Sequence, residues 1–339
     1  MHRVILSESV KLKEGATLAA DVPYIIDSAM LASVANEADG NVRKAEAVEI
    51  SRQDDQERFL LIRSGGAGDI LFLTPALHAL RLRFPKAQID IACLGRFSWI
   101  LDGNPDLTCV LPYPIPEAKL GEGTIITLEN VIENNHEDHA VDIFGKLMGV
   151  PELPDRKTRY YPRPPRLAKT SGRKRIAVQF AASSAVRTYP HMAQVIVLLI
   201  KAGYEIVLFR DPGPFRLPES AKSRMIDPPT LGYTWRESMD LLPTCDAAIG
   251  PDSSMIHFAG ALGVPTIAIY GSFDWRKRTL YQPSIRAIEA TGPCAPCYHH
   301  GRRGHRLPPQ CPSREARICQ VLGSIEPERI LKTVREMLQ

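Results

Sequence analysis

No stretch of this 339-residue chain approaches the ~20 consecutive apolar residues of a membrane-crossing helix, so a helical span is not expected. A Gly-x-Gly-x-x-Gly fingerprint is also missing. Its nearest approach, Gly65-Gly66-Ala67-Gly68-Asp69-Ile70, is followed by no acidic ribose-binding residue about 20 positions on, which argues against a dinucleotide-dependent oxidoreductase. No Asp-x-Asp pair stands at a strand end. Asp54-Asp55 lies in a polar stretch, so a catalytic magnesium is not implied. Charge of one sign is scarce: 42 Lys and Arg against 38 Asp and Glu leave a net of +4 and a pI near 8.6. That mild excess suits an anionic ligand or peripheral contact with a membrane surface, and it falls short of a nucleic-acid signature. Seven cysteines, an odd number, without a secretory signal point to a reducing, cytoplasmic setting.

What is present is the composition of a globular protein, 44% hydrophobic and 24% charged, with length enough for two domains of roughly 100 to 200 residues each. The segment from Phe59 to Pro85 carries the most information. Phe59 to Ile62 suits a buried parallel strand, and Gly65, Gly66 and Gly68 permit a turn and close backbone approach after it. The helix that follows has unpaired N–H groups and a positive dipole end that favour an anion, with Gly66 and Gly68 at the approach. Within it Leu77, Leu80 and Phe84 can face a sheet while Arg81 and Arg83 reach water. Asp69 is out of place in a turn built for anions. It reads either as a general base for a hydroxyl or as a helix cap, and spacing alone divides these evenly.

A second stretch, Cys245 to Gly271, reads as strand, polar turn, small-residue helix, strand and glycine turn. Asp252, Ser253 and Ser254 offer a helix cap with exposed N–H and hydroxyl donors, a good seat for a diphosphate. His257, one turn on, either donates to an anion or packs in the core, the second being the commoner use of such a histidine.

Together the two stretches resemble the heptosyltransferase family of glycosyltransferases, the ADP-heptose:lipopolysaccharide type (glycosyltransferase family 9). The resemblance runs in register over roughly residues 59 to 338 through GAGDILFLTPALHALRLRFP, VQFAASSAVRTYP and PDSSMIHFAGALGVPTIAIYG. It implies an α/β fold of the GT-B arrangement, two Rossmann-like domains with a central cleft. It also implies an inverting transfer of a sugar, heptose foremost, from a nucleoside-diphosphate donor such as ADP-heptose to a hydroxyl of a glycan or protein acceptor. In that family the place of Asp69 is the general base, that of Arg187 a lysine near the donor phosphate, and those of Asp252, Ser253, Ser254 and His257 the donor loop. Two departures concern the donor: Ser254 replaces a glycine of the family loop, and Arg187 is not a point-charge lysine. The chemistry is consistent with these roles. A hydroxyl needs a base to become a nucleophile, a leaving diphosphate needs cations, and one displacement inverts without a covalent intermediate. An oligomer is compatible with this reading. The alternative is a non-catalytic nucleotide or nucleotide-sugar binding protein, which would keep the phosphate loops and have no need of Asp69.

Cys294, Cys297, Cys311 and Cys319 form a third feature, opened by a Cys-x2-Cys knuckle. Four thiols at this spacing are expected to hold a structural zinc or iron, with two disulfides or free thiols as the competing reading. The pattern is similar to the metal-finger subgroup of the same family that glycosylates bacterial autotransporter proteins. Cys93, Cys109 and Cys245 sit in apolar strand contexts that suit buried, reduced thiols. His299, His300, Arg302, Arg303, His305 and Arg306 give the cysteine loop a basic tip, either solvated or set against an anionic acceptor. A nucleic-acid module built on that tip is a further, weaker reading.

Along the chain, residues 1–57 read as a small β-containing extension and linker. A first Rossmann-like, acceptor-side domain is expected over 58–162, a proline-rich linker over 163–175, and a nucleotide-sugar domain over 176–339 that includes the cysteine loop 294–319. Strands are expected at 89–93, 108–111, 125–128, 176–180 and 205–209, and helices at 139–148, 191–202 and 328–338. The cluster from Asn134 to His139 invites a metal reading, against which a polar helix start is preferred. Donor specificity is expected to draw on residues 210–236.

Overall fold

The computed structural model describes residues 1–13, 16–38, 40–47, 58–133, 135–211, 223–299, 311 and 319–339. Two compact units divide the chain, Met1–Arg156 and Lys157–Gln339. Among the described residues no helix is long and apolar enough to cross a membrane.

In the first unit a small antiparallel sheet is built from β1 (His2–Leu6), β4 (Tyr24–Ile26), β5 (Val42–Ala47) and the later β9 (Ile115–Pro116), in the order β5-β1-β4-β9. A short ribbon, β2 (Val10–Lys11) with β3 (Thr17–Leu18), and helix α1 (Ser28–Glu37) accompany it, α1 being capped by Asp27 through the Met30 N–H at 2.7 Å. The N-terminal residues are therefore not a separate body. β4 pairs with β9 far along the chain, and the buried Tyr113 hydroxyl joins the Asp27 backbone N–H at 2.7 Å and its carboxylate at 3.0 Å.

The main sheet of this unit is parallel: β6 (Arg58–Ile62), β7 (Gln88–Leu94), β8 (Cys109–Tyr113) and β10 (Thr124–Thr127), in the order β10-β6-β7-β8. β6 lies inside the sheet, which is why Phe59 to Ile62 is an unbroken apolar run. The helix after it comes in two pieces, α2 (Ala67–Phe72) and α3 (Thr74–Arg83), because Pro75 lacks an N–H and suits a first helical turn. Leu77 and Leu80 are fully buried, as expected of a sheet-facing stripe. Arg81 departs from expectation. Its guanidinium binds the carbonyls of Asp106, Pro85 and Ala87, so it ties down the α3–β7 connection instead of standing in water. Helix α4 (Gly95–Ser98) follows β7, and α5 (Ala140–Leu147) starts at His139, whose Nδ1 accepts the Val141 N–H at 3.1 Å. Asn135 closes the turn before it by accepting from the Glu137 and Asp138 N–H groups, so this segment is a polar helix start; Asn134 lies outside the described residues.

The second unit carries six parallel strands, β11 (Arg175–Gln179), β12 (Glu205–Phe209), β13 (Met225–Ile226), β14 (Ala247–Pro251), β15 (Thr266–Tyr270) and β16 (Ile285–Glu289). Their order, β13-β12-β11-β14-β15-β16, is that of a Rossmann sheet. Its helices are α6 (Met192–Lys201), α7 (Trp235–Met239), α8 (Ser254–Ala261), α9 (Arg276–Thr279), α10 (Gln320–Gly323) and α11 (Pro327–Met337). One sheet face presents Ile176, Val178, Ile206, Leu208, Ile249, Ile267 and Ile269 to Val195, Ile196 and Leu199 of α6 and to Ile330 and Val334 of α11. The spacing of two in the strands and of three or four in the helices is what puts these residues on one interface.

Cys93 and Cys245 are buried, and burial pushes both thiols up to about 12, as suits inert reduced cysteines. Cys109 is exposed because β8 is an edge strand. Leu199 lies at the centre of the second unit's core, so Leu199→Ala is expected to cost about 2–5 kcal/mol, read as a fall in the urea midpoint without a change in slope.

Candidate functional site

Each parallel sheet reverses its strand order once, between β6 and β10 in the first unit and between β11 and β14 in the second. The carboxyl ends of such neighbouring strands open a crevice, the usual ligand position in sheets of this kind. Every candidate side chain other than the cysteines lies at or just after one of these four strand ends.

In the first unit β6 ends at Ile62, and Arg63 to Gly66 carry the chain into α2. Gly66 is obligatory twice over. It sits at φ +75°, and a Cβ there would fall 2.1 Å from Asp69 Oδ2. Gly66 is also the N-cap of α2, with Gly68 and Asp69 inside the first turn, so Asp69 is not the capping residue. Its Oδ2 instead accepts from Arg63 Nη2 at 2.6 Å, with the Asp69 side chain 23% exposed. Arg63 is buried. Its Nη1 donates to the Leu128 carbonyl at 2.8 Å, and Nη2 also reaches Glu133 Oε1 at 3.1 Å. Glu129 completes the group by accepting from the Ser64 N–H and, at 2.9 Å, from the Ser64 hydroxyl. Burial pushes the Glu129 carboxyl up from its ordinary value against the opposing pull of Ser64 and Arg63. Burial alone would loosen the Arg63 proton, but the charges of Asp69, Glu133 and Glu129 outweigh it, and the guanidinium is held well above its usual range. One guanidinium is thus shared among three carboxylates, and it fixes the partly exposed one in place.

Arg63, Ser64, Glu129 and Glu133 were not foreseen as site residues. Arg63 and Ser64 do border the glycine turn, and Glu129 does follow the expected strand, but only the pairing of β10 with β6 brings them together.

In the second unit β11 leads to a 3-10 turn, Ala185–Arg187, and β14 leads to α8. Arg187 Nη1 donates to the Asp252 carbonyl at 3.1 Å and stands 3.7 Å from its Oδ2, while Nη2 donates to the Ser183 hydroxyl at 2.6 Å. His257, buried on α8, places Nε2 3.6 Å from the other carboxylate oxygen. Burial pushes the Asp252 carboxyl up, but the neighbouring His257 imidazole and the charges of Arg187 and Arg278 overcome it and hold the group at about 2. Asp252 is therefore a fixed anion that organises cations. Ser253 is the N-cap of α8, yet its hydroxyl makes no capping bond and is buried without a partner among the described residues, as are Arg187 Nε and the Ser184 hydroxyl. Buried donors left unmet beside a helix N-terminus are the fittings of an anion site. Ser254 is the first residue of α8.

The cysteine expectation is corrected. Cys294 and Cys297 are exposed, Cys311 and Cys319 half-buried, and all four are free thiols. Among the described residues, which include these four, no three His, Cys, Asp or Glu side chains gather into a group that could hold a metal ion. The thiols do sense one another: burial first, then the charges of Cys297, Cys319 and Cys311, raise the Cys294 thiol. Such repulsion acts over several ångströms, whereas ligation needs every sulfur about 2.3 Å from one ion. The structure thus supports neither a zinc or iron cofactor nor a metal finger. His300, Arg302, Arg303, His305 and Arg306 of the basic tip, and residues 212–222 of the expected specificity region, lie outside the described residues.

Residues 150–306 match the family pattern described as glycosyltransferase family 9 (heptosyltransferase). The match takes in Arg187 and the 252–257 turn and leaves out Asp69. That match and the fold support an enzyme of the sugar-transferring kind. In fold it is similar to the ADP-heptose LPS heptosyltransferase II of E. coli, with 18% identity over 83% of this chain and 98% of that one and a TM-score of 0.63. A glycosyl transferase family 9 protein from Veillonella parvula DSM 2008 gives 16% identity over 85% and 99%, with a TM-score of 0.60. The iron-containing dodecameric glycosyltransferase TibC of enterotoxigenic E. coli H10407 gives 13% over 88% and 80%, at 0.62. No curated protein matches the chain by sequence. The expected GT-B class of fold, two Rossmann-like lobes with a small antiparallel sheet at the N-terminus, is the one found.

A carboxylate held at about 2 when folded and near 4 when unfolded contributes stability that is full above the unfolded value and is lost as pH falls through the folded one. Asp252→Asn is accordingly expected to cost on the order of 2 kcal/mol near neutral pH. Urea unfolding of both proteins from about pH 6 to about pH 2 should show the gap closing below about pH 4.

Proposed function

We propose that the protein transfers a sugar, heptose foremost, with inversion from a nucleoside-diphosphate donor to an acceptor hydroxyl, and that Asp69 is the general base. The observation that carries this is the Arg63–Asp69 pair at 2.6 Å, set on a turn where Gly66 tolerates no side chain. It leaves a partly exposed carboxylate with one oxygen clamped. Oδ1 has no hydrogen-bond partner among the described residues and is the atom that takes the acceptor's proton. Because Arg63 also answers Glu133, its charge does not cancel that of Asp69 alone. A positioned carboxylate of this kind contributes about 10²–10⁴-fold to a proton transfer.

The second unit supplies the other half of the chemistry. As the bond from the sugar's anomeric carbon to the diphosphate oxygen breaks, negative charge builds on the leaving group, and Arg187, the Ser253 hydroxyl and the α8 N-terminus meet it. The acceptor oxygen attacks from the opposite side and passes its proton to Asp69, so one displacement inverts the centre without a covalent intermediate. ADP-heptose is the preferred donor. The similar E. coli enzyme is described as an ADP-heptose transferase, and TibC as a heptosyltransferase in complex with ADP-D-β-D-heptose. A glycan or protein hydroxyl is the acceptor class, and self-association of the kind described for dodecameric TibC is compatible with the chain.

Asp69→Asn keeps the shape and removes the base. Nucleoside diphosphate release from ADP-heptose should fall about 10²–10⁴-fold while donor affinity changes by less than about threefold. Undiminished release would show that another group is the base.

A further inference from the structure

Arg278 lies on α9 and is only 9% exposed. Its guanidinium carbon sits 5.2 Å from the centre of the Phe273 ring, and among the described residues its side chain forms no hydrogen bond and no ion pair. A mostly buried guanidinium with no carboxylate in ion-pair reach among the described residues keeps its donors available for an anionic ligand. Its surroundings place it at the anion-ready turn. Phe273 follows Ser272, whose hydroxyl donates to the Val186 carbonyl at 3.0 Å, next to Arg187. Ser272 in turn follows β15, which pairs with β14 up to Pro251, the residue before Asp252. The charge of Arg278 is felt at both Asp252 and Tyr270.

Charge counting then separates the two arginines. Arg187 stands 3.7 Å from the Asp252 carboxylate, so these two cancel and the pair brings orientation and donors but little net charge. Arg278 is a cation in surplus. A sugar-nucleotide donor presents two linked phosphates, and the second has to be met by something other than the neutralised Arg187–Asp252 pair.

We propose that Arg278 is a donor-binding residue that, together with Arg187, the Ser253 hydroxyl and the N-terminus of α8, takes the second phosphate and makes the site select nucleoside diphosphates over monophosphates. This rests on the reading of the 252–257 turn as the donor site. The Phe273 ring beside the guanidinium limits its freedom before the ligand arrives, which lowers the ordering cost of binding.

The test is calorimetric titration of the full-length protein with ADP, AMP and inorganic pyrophosphate, for the wild type, Arg278→Gln and Arg278→Lys. Arg278→Gln is expected to weaken ADP and pyrophosphate at least about tenfold and AMP by less than about threefold, with Arg278→Lys intermediate. The unliganded Arg278→Gln protein is expected to melt in one cooperative transition, so that lost affinity reads on binding and not on folding. Wild-type protein that binds ADP with an affinity Arg278→Gln shares would overturn the role of Arg278 and leave the donor site standing. Equal losses for ADP and AMP would overturn the selectivity. Should Arg278→Gln fail to fold, Arg278→Lys carries the test: a reduced preference for ADP over AMP would support the role, and an undiminished one would overturn it. A wild type that binds neither ADP nor pyrophosphate would overturn the donor reading and this proposal with it.

Discussion

The reversal of strand order in each parallel sheet is the constraint on which the rest depends. Chain segments leave neighbouring strand ends toward opposite faces, so the backbone parts there and polar groups can stand among otherwise buried strands. In the first unit that opening receives Arg63 and Ser64 from β6 and Leu128 to Glu133 from the far side of β10. In the second it receives Arg187 after β11 and Asp252 to His257 after β14. The same topology thus offers two equivalent places, and the side chains decide what each becomes.

They decide it with opposite charge patterns. Around Arg63 three carboxylates gather on one cation, which leaves an excess of negative charge and a clamped carboxylate that water can reach. Around Asp252 the cations Arg187 and Arg278 and the imidazole of His257 gather on one carboxylate, which stays ionised though buried. The first pattern suits taking a proton from a hydroxyl, the second suits receiving a phosphate. In both, the buried ion of minority sign does no chemistry itself and holds the others in register, a use of buried charge that breaking either partner would expose.

Much of this was legible in the residues. Phe59 to Ile62, Ile176 to Gln179 and Glu205 to Phe209 were readable as strands because sheets covered on both faces need continuous apolar runs, and the α11 stripe was readable because Ile330 and Val334 repeat at helical spacing. The placing of the candidate residues was legible where one local segment contains them, as at Gly66, Asp69 and the 252–257 turn. It was not legible where a crossover makes it: Arg63 meets Glu133 across 70 positions, a pairing that no local pattern encodes. Arg81 went wrong because its partners are carbonyls, which no sequence marks. The cysteines misled for a related reason, since spacing marks which sulfurs could meet and not whether they do.

The central claim is that the turn after β14, together with the turn after β11, is where the diphosphate of the donor is held. Hydrogen–deuterium exchange of the full-length protein with and without saturating ADP tests it most directly, because bound phosphates slow exchange of the N–H groups that hold them. The account predicts slowed exchange confined chiefly to residues 183–188 and 252–258 and the neighbouring Arg278 segment. Slowed exchange elsewhere with none in these segments would contradict it.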